Sequence, residues 1–210
     1  MNPSSKYYKY PRTPHLSWSE GVQSDDKVLM DSACFNGKLV VVTEKMDGEN
    51  TTFYRDHLHA RSIDSRHHPS RNWIKAFHAE ISHLIPEGWR FCGENLYARH
   101  SIEYLDLESF FYLFSIWDEN NQCLSWDLTQ EWVTSMGLST PTILYQGTWD
   151  EKCIQRLTLD ISKQEGYVVR TQEGFHYNDF HKYNAKWVRH NHVQTDKEWM
   201  HQALVPNRLK

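Results

Sequence analysis

The chemical potential of this chain is concentrated in Lys45, Glu94, Glu165, Lys182 and Lys186, each inside or beside a short apolar run. Lys45 closes the run Val40-Val41-Val42-Thr43-Glu44 and precedes Met46-Asp47-Gly48. Residues 39–42 are apolar and mostly β-branched, as a strand covered on both faces requires. Asp-Gly is a strong turn pair, because Gly takes positive φ without steric cost, and residues 51–54 suit a return strand. A lysine fixed where a rigid strand meets a turn can act as a nucleophile once its amine is neutral. The free amine has a pKa of about 10.4, and burial and neighbouring cations favour the neutral form. Alone, Lys-x-Asp-Gly suits a solvated hairpin tip better than a reactive site, so its company decides.

That company lies downstream. Glu94 follows a glycine in Phe91-Cys92-Gly93-Glu94-Asn95, and Phe114 lies within the aromatic run Phe111-Tyr112-Leu113-Phe114-Ser115-Ile116. Glu165 opens Glu165-Gly166-Tyr167-Val168-Val169-Arg170, and Lys186 stands in Ala185-Lys186-Trp187-Val188-Arg189. Taken singly, the glutamates suit solvated strand ends and Phe114 suits a core. Histidine pairs at His57/His59, His67/His68 and His190/His192 lack both a helical i, i+4 partner with an intervening Glu and a cysteine pair, which argues against zinc.

The elements that must position these residues alternate. Residues 58–63, 89–96, 110–117, 123–126, 142–145, 166–171 and 180–188 read as strands. Pro69-Ser70 opens a helix, with Ser70 as N-cap. Trp73, Ile74, Phe77, Ile81 and Leu84 form its apolar face. A second helix follows the capping-box pair Asp127/Gln130 and ends at Gly137. A third spans 150–163, with Ile154, Leu157 and Ile161 inward. Short strands meeting at tight turns predict an antiparallel-rich α+β domain over 38–190. Residues 1–37 read as an N-terminal arm packed on that domain, in which Arg12 and the tyrosines of Tyr7-Tyr8-Lys9-Tyr10 could touch a polynucleotide. Residues 191–210 read as a polar tail.

A chain of 210 residues with 39% hydrophobic and 24% charged residues has ample core for this. A net charge of −4 argues against a broad non-specific nucleic-acid coat and leaves room for a local basic groove. Cys34, Cys92, Cys123 and Cys153 are far apart in sequence and read as free thiols of a reducing compartment. No apolar run suits a signal peptide or a membrane span, so a cytoplasmic protein is expected.

Taken in order, the loaded stretches resemble the motifs of the covalent nucleotidyltransferases: RNA ligases, DNA ligases and mRNA-capping enzymes. Residues 44–48 resemble motif I, 91–95 motif III, 110–116 motif IIIa, 165–170 motif IV and 182–189 motif V. The flavour is that of the RNA ligase 2-like family, whose motif I often carries an Asn five residues after the lysine, where Asn50 stands. The resemblance implies a nucleotidyltransferase (adenylation) domain that uses ATP and Mg²⁺ (or Mn²⁺). Lys45 would take AMP from ATP, pass it to a 5′-phosphate, and a 3′-hydroxyl would then seal the strand.

By the same resemblance Glu94 would hold the ribose hydroxyls, Phe114 would stack on adenine and Glu44 would lie beside the base edge. Arg61 (or Arg66) would contact ribose or phosphate, and Glu165 would orient the metal. Lys186 (or Lys182) would act as cation and nucleotide ligand, and Asn50 would touch the polynucleotide end. The family pattern has two basic residues one apart in motif V, and Asn184 departs from it. The expected partners are RNA ends or a nicked duplex. With no OB-fold or C-terminal module expected after residue 190, a partner protein could supply further grip. The rivals are a GTP-dependent capping-type guanylyltransferase, a DNA nick ligase and a catalytically silent binding module of the same fold.

Overall fold

In the computed structural model, which describes residues 6–190 and 204–210, the strands are β1 (Leu39–Lys45), β2 (Glu49–Phe53), β3 (Leu58–Ala60), β4 (Arg90–Asn95), β5 (Phe111–Trp117), β6 (Gln122–Cys123), β7 (Ile143–Thr148), β8 (Gly166–Thr171), β9 (Phe175–His176) and β10 (Asn184–Val188). The helices are α1 (Asn72–Ile81), α2 (Trp126–Met136) and α3 (Glu151–Gln155). Two antiparallel sheets result, ordered β10-β8-β1-β7 and β3-β2-β4-β5-β6-β9.

Val40, Val41 and Val42 are fully buried because β1 is interior to its sheet, paired with β7 on one edge and β8 on the other. This corrects the return strand expected after Asp47-Gly48. Both edges of β1 are taken, so the chain crosses to the second sheet, where β2 pairs with β3 and β4. Gly48 is also not needed for positive φ; that set is Gly37, Gly88, Gly137 and Gly147. Its role is close approach: a Cβ there would lie 2.5 Å from Asn95 O and 2.8 Å from Leu96 Cδ2.

Helix α1 packs Ile74, Trp73, Phe77 and Ile81 on a core that includes Phe53, Phe91 and Phe111. Its entry is not capped by Ser70. A 3₁₀ turn, Pro69–Arg71, precedes it, and His68 accepts from Ser70 N at 3.2 Å. At α2 the cap is Ser125, which accepts from Leu128 N, and Asp127 instead accepts from Gln172 Nε2 at 3.0 Å. Gly137 ends α2 in the left-handed region, as its position suggested.

Helix α3 is much shorter than the expected 150–163. Asp160 accepts from Ser162 N at 3.1 Å, and its own N–H donates to Gln164 Oε1 at 2.9 Å. This local turn competes with helical bonding and leaves Ile161 60% exposed while Ile154 is fully buried. Likewise, residues 180–182 of the expected last strand belong to a 3₁₀ turn, Tyr177–Lys182, and β10 begins only at Asn184.

The ends of the described chain are built in. Leu16 belongs to the core beside β1 and β8. At the other end Asn207 is buried; its Nδ2 donates to Leu96 O at 2.8 Å, and Tyr104 N donates to its Oδ1 at 2.9 Å. Residues 204–210 are therefore a docked strap rather than a loose tail, and the expectation for 191–203 lies outside the described residues. No helix among the described residues is long and apolar enough to cross a membrane.

Since a methyl on Gly48 would press on the β4 backbone, Gly48→Ala is expected to destabilise the protein by about 1–3 kcal/mol, the range for overpacking. Calorimetric melting checks this, and a variant that melts with the parent would refute the close-approach role.

Candidate active site

The two sheets face each other across a cavity of about 780 Å³. The first sheet supplies Lys45 from the end of β1, Lys186 from β10 and Glu165 from the residue before β8. Register fixes this set: Lys45 pairs with Gly166, and Gly166 with Val188. The second sheet supplies Asn50 from β2, Glu94 from β4, Phe114 from β5 and Arg61 just after β3. Asn50 and Glu94 are cross-strand partners. All of these, with Glu44 and Arg66, line the one cavity.

At its centre the Lys45 ammonium donates to Glu165 Oε2 at 2.5 Å, and the Glu165 side chain is almost fully buried. Gly48 N donates to Glu94 Oε1 at 3.2 Å. Asp47 acts as an anchor. Its Oδ2 accepts from Ser101 N at 2.9 Å, Ser101 Oγ at 2.7 Å and Ile102 N at 2.8 Å, while Asp47 N donates to Tyr104 Oη at 2.9 Å. The turn that follows Lys45 is thus held by the 101–104 loop.

The electrostatics depart from the neutral amine expected at Lys45. Burial works to lower its pKa, but the carboxylates of Glu165 and Glu94 override it, and the net direction is up. Glu94 shows the converse: burial, with Glu165 and Asp47 nearby, pushes it up to about 8 despite the opposing pull of Lys45. The depressed lysine is Lys186, lowered to about 8 by burial and by Lys45. Burial also raises Glu44.

The alternative basic residues fall in different places. Lys182 is exposed on the 3₁₀ turn, outside the cavity lining, and bonds Asp179 at 2.7 Å; its side chain belongs to a local i, i+3 pair because residues 177–182 do not extend β10. Arg12 is also exposed and outside the lining, paired with Asp25 at 2.9 Å. The arm reaches the cavity through Tyr10, Pro11 and Thr13 instead, and the Tyr10 ring meets the Phe114 ring edge-on at 5.3 Å. Both Arg61 and Arg66 line the cavity. Arg61 is half-buried with its Nε unpaired among the described residues, and Arg66 is exposed. The Asn50 Oδ1 is likewise buried and unpaired among the described residues.

Sequence reasoning passed over the Arg71–Glu49 pair on the cavity wall, whose Nε bonds Oε2 at 2.8 Å, and over Asp26 and His15 behind Lys186. No local pattern signals either set, since each joins distant segments. Among the described residues no group of three or more His, Cys, Asp or Glu side chains is arranged to hold a metal ion; His192 lies outside them.

With this geometry in place, the match to a family model of RNA ligases over residues 38–188 is decisive. The chain belongs to the RNA ligase family. Its fold is that of the RNA ligase nucleotidyltransferase domain. It is similar to Naegleria gruberi RNA ligase solved with PPi (TM-score 0.56, 21% identity, 85% of this chain and 57% of that one). It is also similar to a variant of that enzyme solved with ATP and Mn (TM-score 0.54, 19% identity, 85% and 57%). A chain from Aquifex aeolicus assigned as an ATP-dependent DNA ligase shares the fold (TM-score 0.50, 19% identity, 75% and 45%). This RNA ligase family member spans a little over half the length of the Naegleria chains. A comparison with curated proteins finds no match.

The raised Glu94 pKa has a signed consequence for this RNA ligase domain. The native state keeps the proton up to about pH 8, whereas the ordinary carboxyl value is 4.5. Between these values the native state binds more protons than the unfolded one, so ligand-free stability falls as pH rises through the window. Glu94→Gln removes the titration and keeps an acceptor for Gly48 N–H. The melting temperature of Glu94→Gln minus that of the parent is expected to grow from pH 5 to pH 8. A difference that stays constant across that range contradicts the buried, protonated Glu94.

Proposed function

We propose that this chain is an ATP-dependent RNA ligase that joins 3′-hydroxyl and 5′-phosphate RNA ends through a lysyl–AMP on Lys45. The observation that carries this is the Lys45–Glu165 pair at 2.5 Å, in a cavity also lined by Lys186, Glu94, Phe114, Arg61 and Asn50. Family membership supports the reaction class.

The reading gives each residue a role compatible with its place in the cavity. Phe114 offers a ring face for adenine, with Glu44 at the base edge. Glu94, once ionised, accepts hydrogen bonds from the ribose hydroxyls. Arg61 and Lys186 face the phosphates, and Asn50 takes the polynucleotide end through its unpaired carbonyl. In the first step the Lys45 nitrogen bonds the α-phosphorus, the bond to the bridging oxygen breaks, and pyrophosphate leaves. Glu165, hydrogen-bonded to the amine, is placed to receive its proton. In the second step an oxygen of the 5′-phosphate takes the adenylate and frees Lys45. In the third, the 3′-hydroxyl attacks that 5′-phosphate and AMP leaves.

The residues also fit a divalent cation. Glu94 and Glu165 both act on Lys45, and burial, with Glu165 and Asp47 nearby, pushes Glu94 up to about 8. Among the described residues there is no all-protein cage, which suits Mg²⁺ or Mn²⁺ held by one or two carboxylates together with substrate phosphates. An ion on Glu165 would relieve the carboxylate pull on the Lys45 proton and offset charge on the transferring phosphate.

Incubation with ATP and Mg²⁺, followed by intact-protein mass spectrometry, is expected to show one added adenylate in the parent and none in Lys45→Ala. GTP should give no adduct, and 5′-phosphorylated RNA should discharge the adenylate. A guanylate adduct would indicate the capping-type reaction instead. Preferential sealing of nicked DNA would indicate a DNA ligase, and no adduct with either nucleotide a silent module.

A further inference from the structure

The N-terminal arm does more than cover the domain. Lys186 N donates to Pro14 O at 2.9 Å, and Leu16 N donates to Lys186 O at 2.8 Å. On the other side His15 N donates to Lys27 O at 2.7 Å, and Leu29 N donates to His15 O at 2.8 Å. Residues 14–16 thus lie like an extra strand between β10 and the 27–29 segment. This brings Asp26 behind the cavity. One carboxylate oxygen is 4.0 Å from Lys186 Nζ, and the other is 3.1 Å from His15 Nε2 and accepts from Gln23 N at 3.0 Å.

We propose that Asp26 is the positioning residue of Lys186, holding its ammonium on the arm side of the cleft and off Glu165. This rests on the ligase reading above for its catalytic meaning. The groups facing Lys186 are Lys45, Arg61, Glu165, Asp26, at longer range Asp25 and, through Asp26, His15. Three are anionic. Glu165 already bonds Lys45 and Asp25 pairs with Arg12, so Asp26 is the counter-charge left to Lys186.

The Asp26–Lys186 pair is poorly exposed, at 15% and 12%, so solvent screens it far less than a surface pair. Asp26 is itself fixed by the Gln23 N–H and stands against a fully buried His15. Burial, with Lys186 nearby, pushes His15 down to about 4, so the ring is neutral and leaves the Asp26 charge to Lys186. A lysine side chain has four rotatable bonds. Without Asp26 the Lys186 ammonium would turn to Glu165, where it would compete with Lys45 and with any cation.

The first test needs no ATP. Competitive acylation of the ligand-free protein with acetic anhydride, read by peptide mass spectrometry across pH, follows the Lys186 amine directly. In Asp26→Asn the labelling midpoint of Lys186 is expected to move to lower pH, and in Asp26→Glu to return toward the parent. With ATP present, Asp26→Asn should slow adenylation on the order of 10-fold to 100-fold and raise the Mg²⁺ concentration needed for half-maximal rate. Asp26→Glu should recover most of both. Asp26→Ser, which keeps an acceptor for Gln23 N–H, serves if the Asn variant does not fold. An unmoved Lys186 midpoint, or parental adenylation in a folded Asn or Ser variant, overturns the proposal. If the parent forms no adenylate while the labelling shift is present, the ligase reading falls and the positioning of Lys186 by Asp26 stands.

Discussion

Strand β1 is hydrogen-bonded on both edges, and the site depends on that constraint. A strand with a free edge could fold back through the Asp47-Gly48 turn and leave Lys45 on a hairpin tip in water. With β7 and β8 occupying its edges, the chain after Lys45 has to leave the sheet. It passes Gly48 against the β4 backbone and enters the second sheet as β2. The five-residue stretch from Lys45 to Glu49 is thus where one sheet gives way to the other, and the cavity is the space between them. Lys45, Glu165 and Lys186 come from one wall, and Asn50, Glu94, Phe114 and Arg61 from the other. Neither sheet alone could supply both.

The electrostatic arrangement follows from this convergence. Strand ends from the two sheets bring Glu94 and Glu165 to one buried lysine, with Asp47 close enough to add to their field. The consequence is a ligand-free state in which Lys45 is charged and Glu94 is held protonated. The neutral amine that nucleophilic attack requires is therefore not stored in the resting fold. In the proposed reaction it would arise when positive charge joins the carboxylates, coupling the readiness of the nucleophile to the arrival of its substrate.

Much of the site was legible in the sequence because its parts are local. A β-branched run ending in Lys45, a Gly-Glu pair at 93–94, an aromatic run around Phe114 and a glutamate opening β8 each announce themselves within six residues. Their order carried the family resemblance. What was not legible depends on three-dimensional occupancy. The hairpin at Asp47-Gly48 failed because nothing near it in sequence says that both edges of β1 are taken. The long third helix failed because the Asp160 turn, a side-chain competition over a few residues, outweighed an apolar spacing that looked helical. Arg12 and Lys182 were drawn toward chemistry by charge alone, yet each has an acid close by in the chain or the arm, Asp25 and Asp179, and each is spent there.

The same logic explains why both ends of the described chain brace the walls of the cavity. The β1–β2 crossover has no hydrogen-bonded strand partner of its own, so its backbone must be held by side chains and loops. Asp47 binds the 101–102 backbone, and Tyr104 returns a bond to Asp47 N. Asn207 in turn ties Leu96 O and Tyr104 N, fastening that loop to the strand it follows. On the opposite side the arm fastens β10 and backs Lys186 with Asp26. A nucleophile on a crossover gains access to two sheets and loses the rigidity of a ladder. Segments remote in sequence restore that rigidity from outside, which is why residues with no chemistry of their own, such as Asn207 and Tyr104, bear on where one amine points.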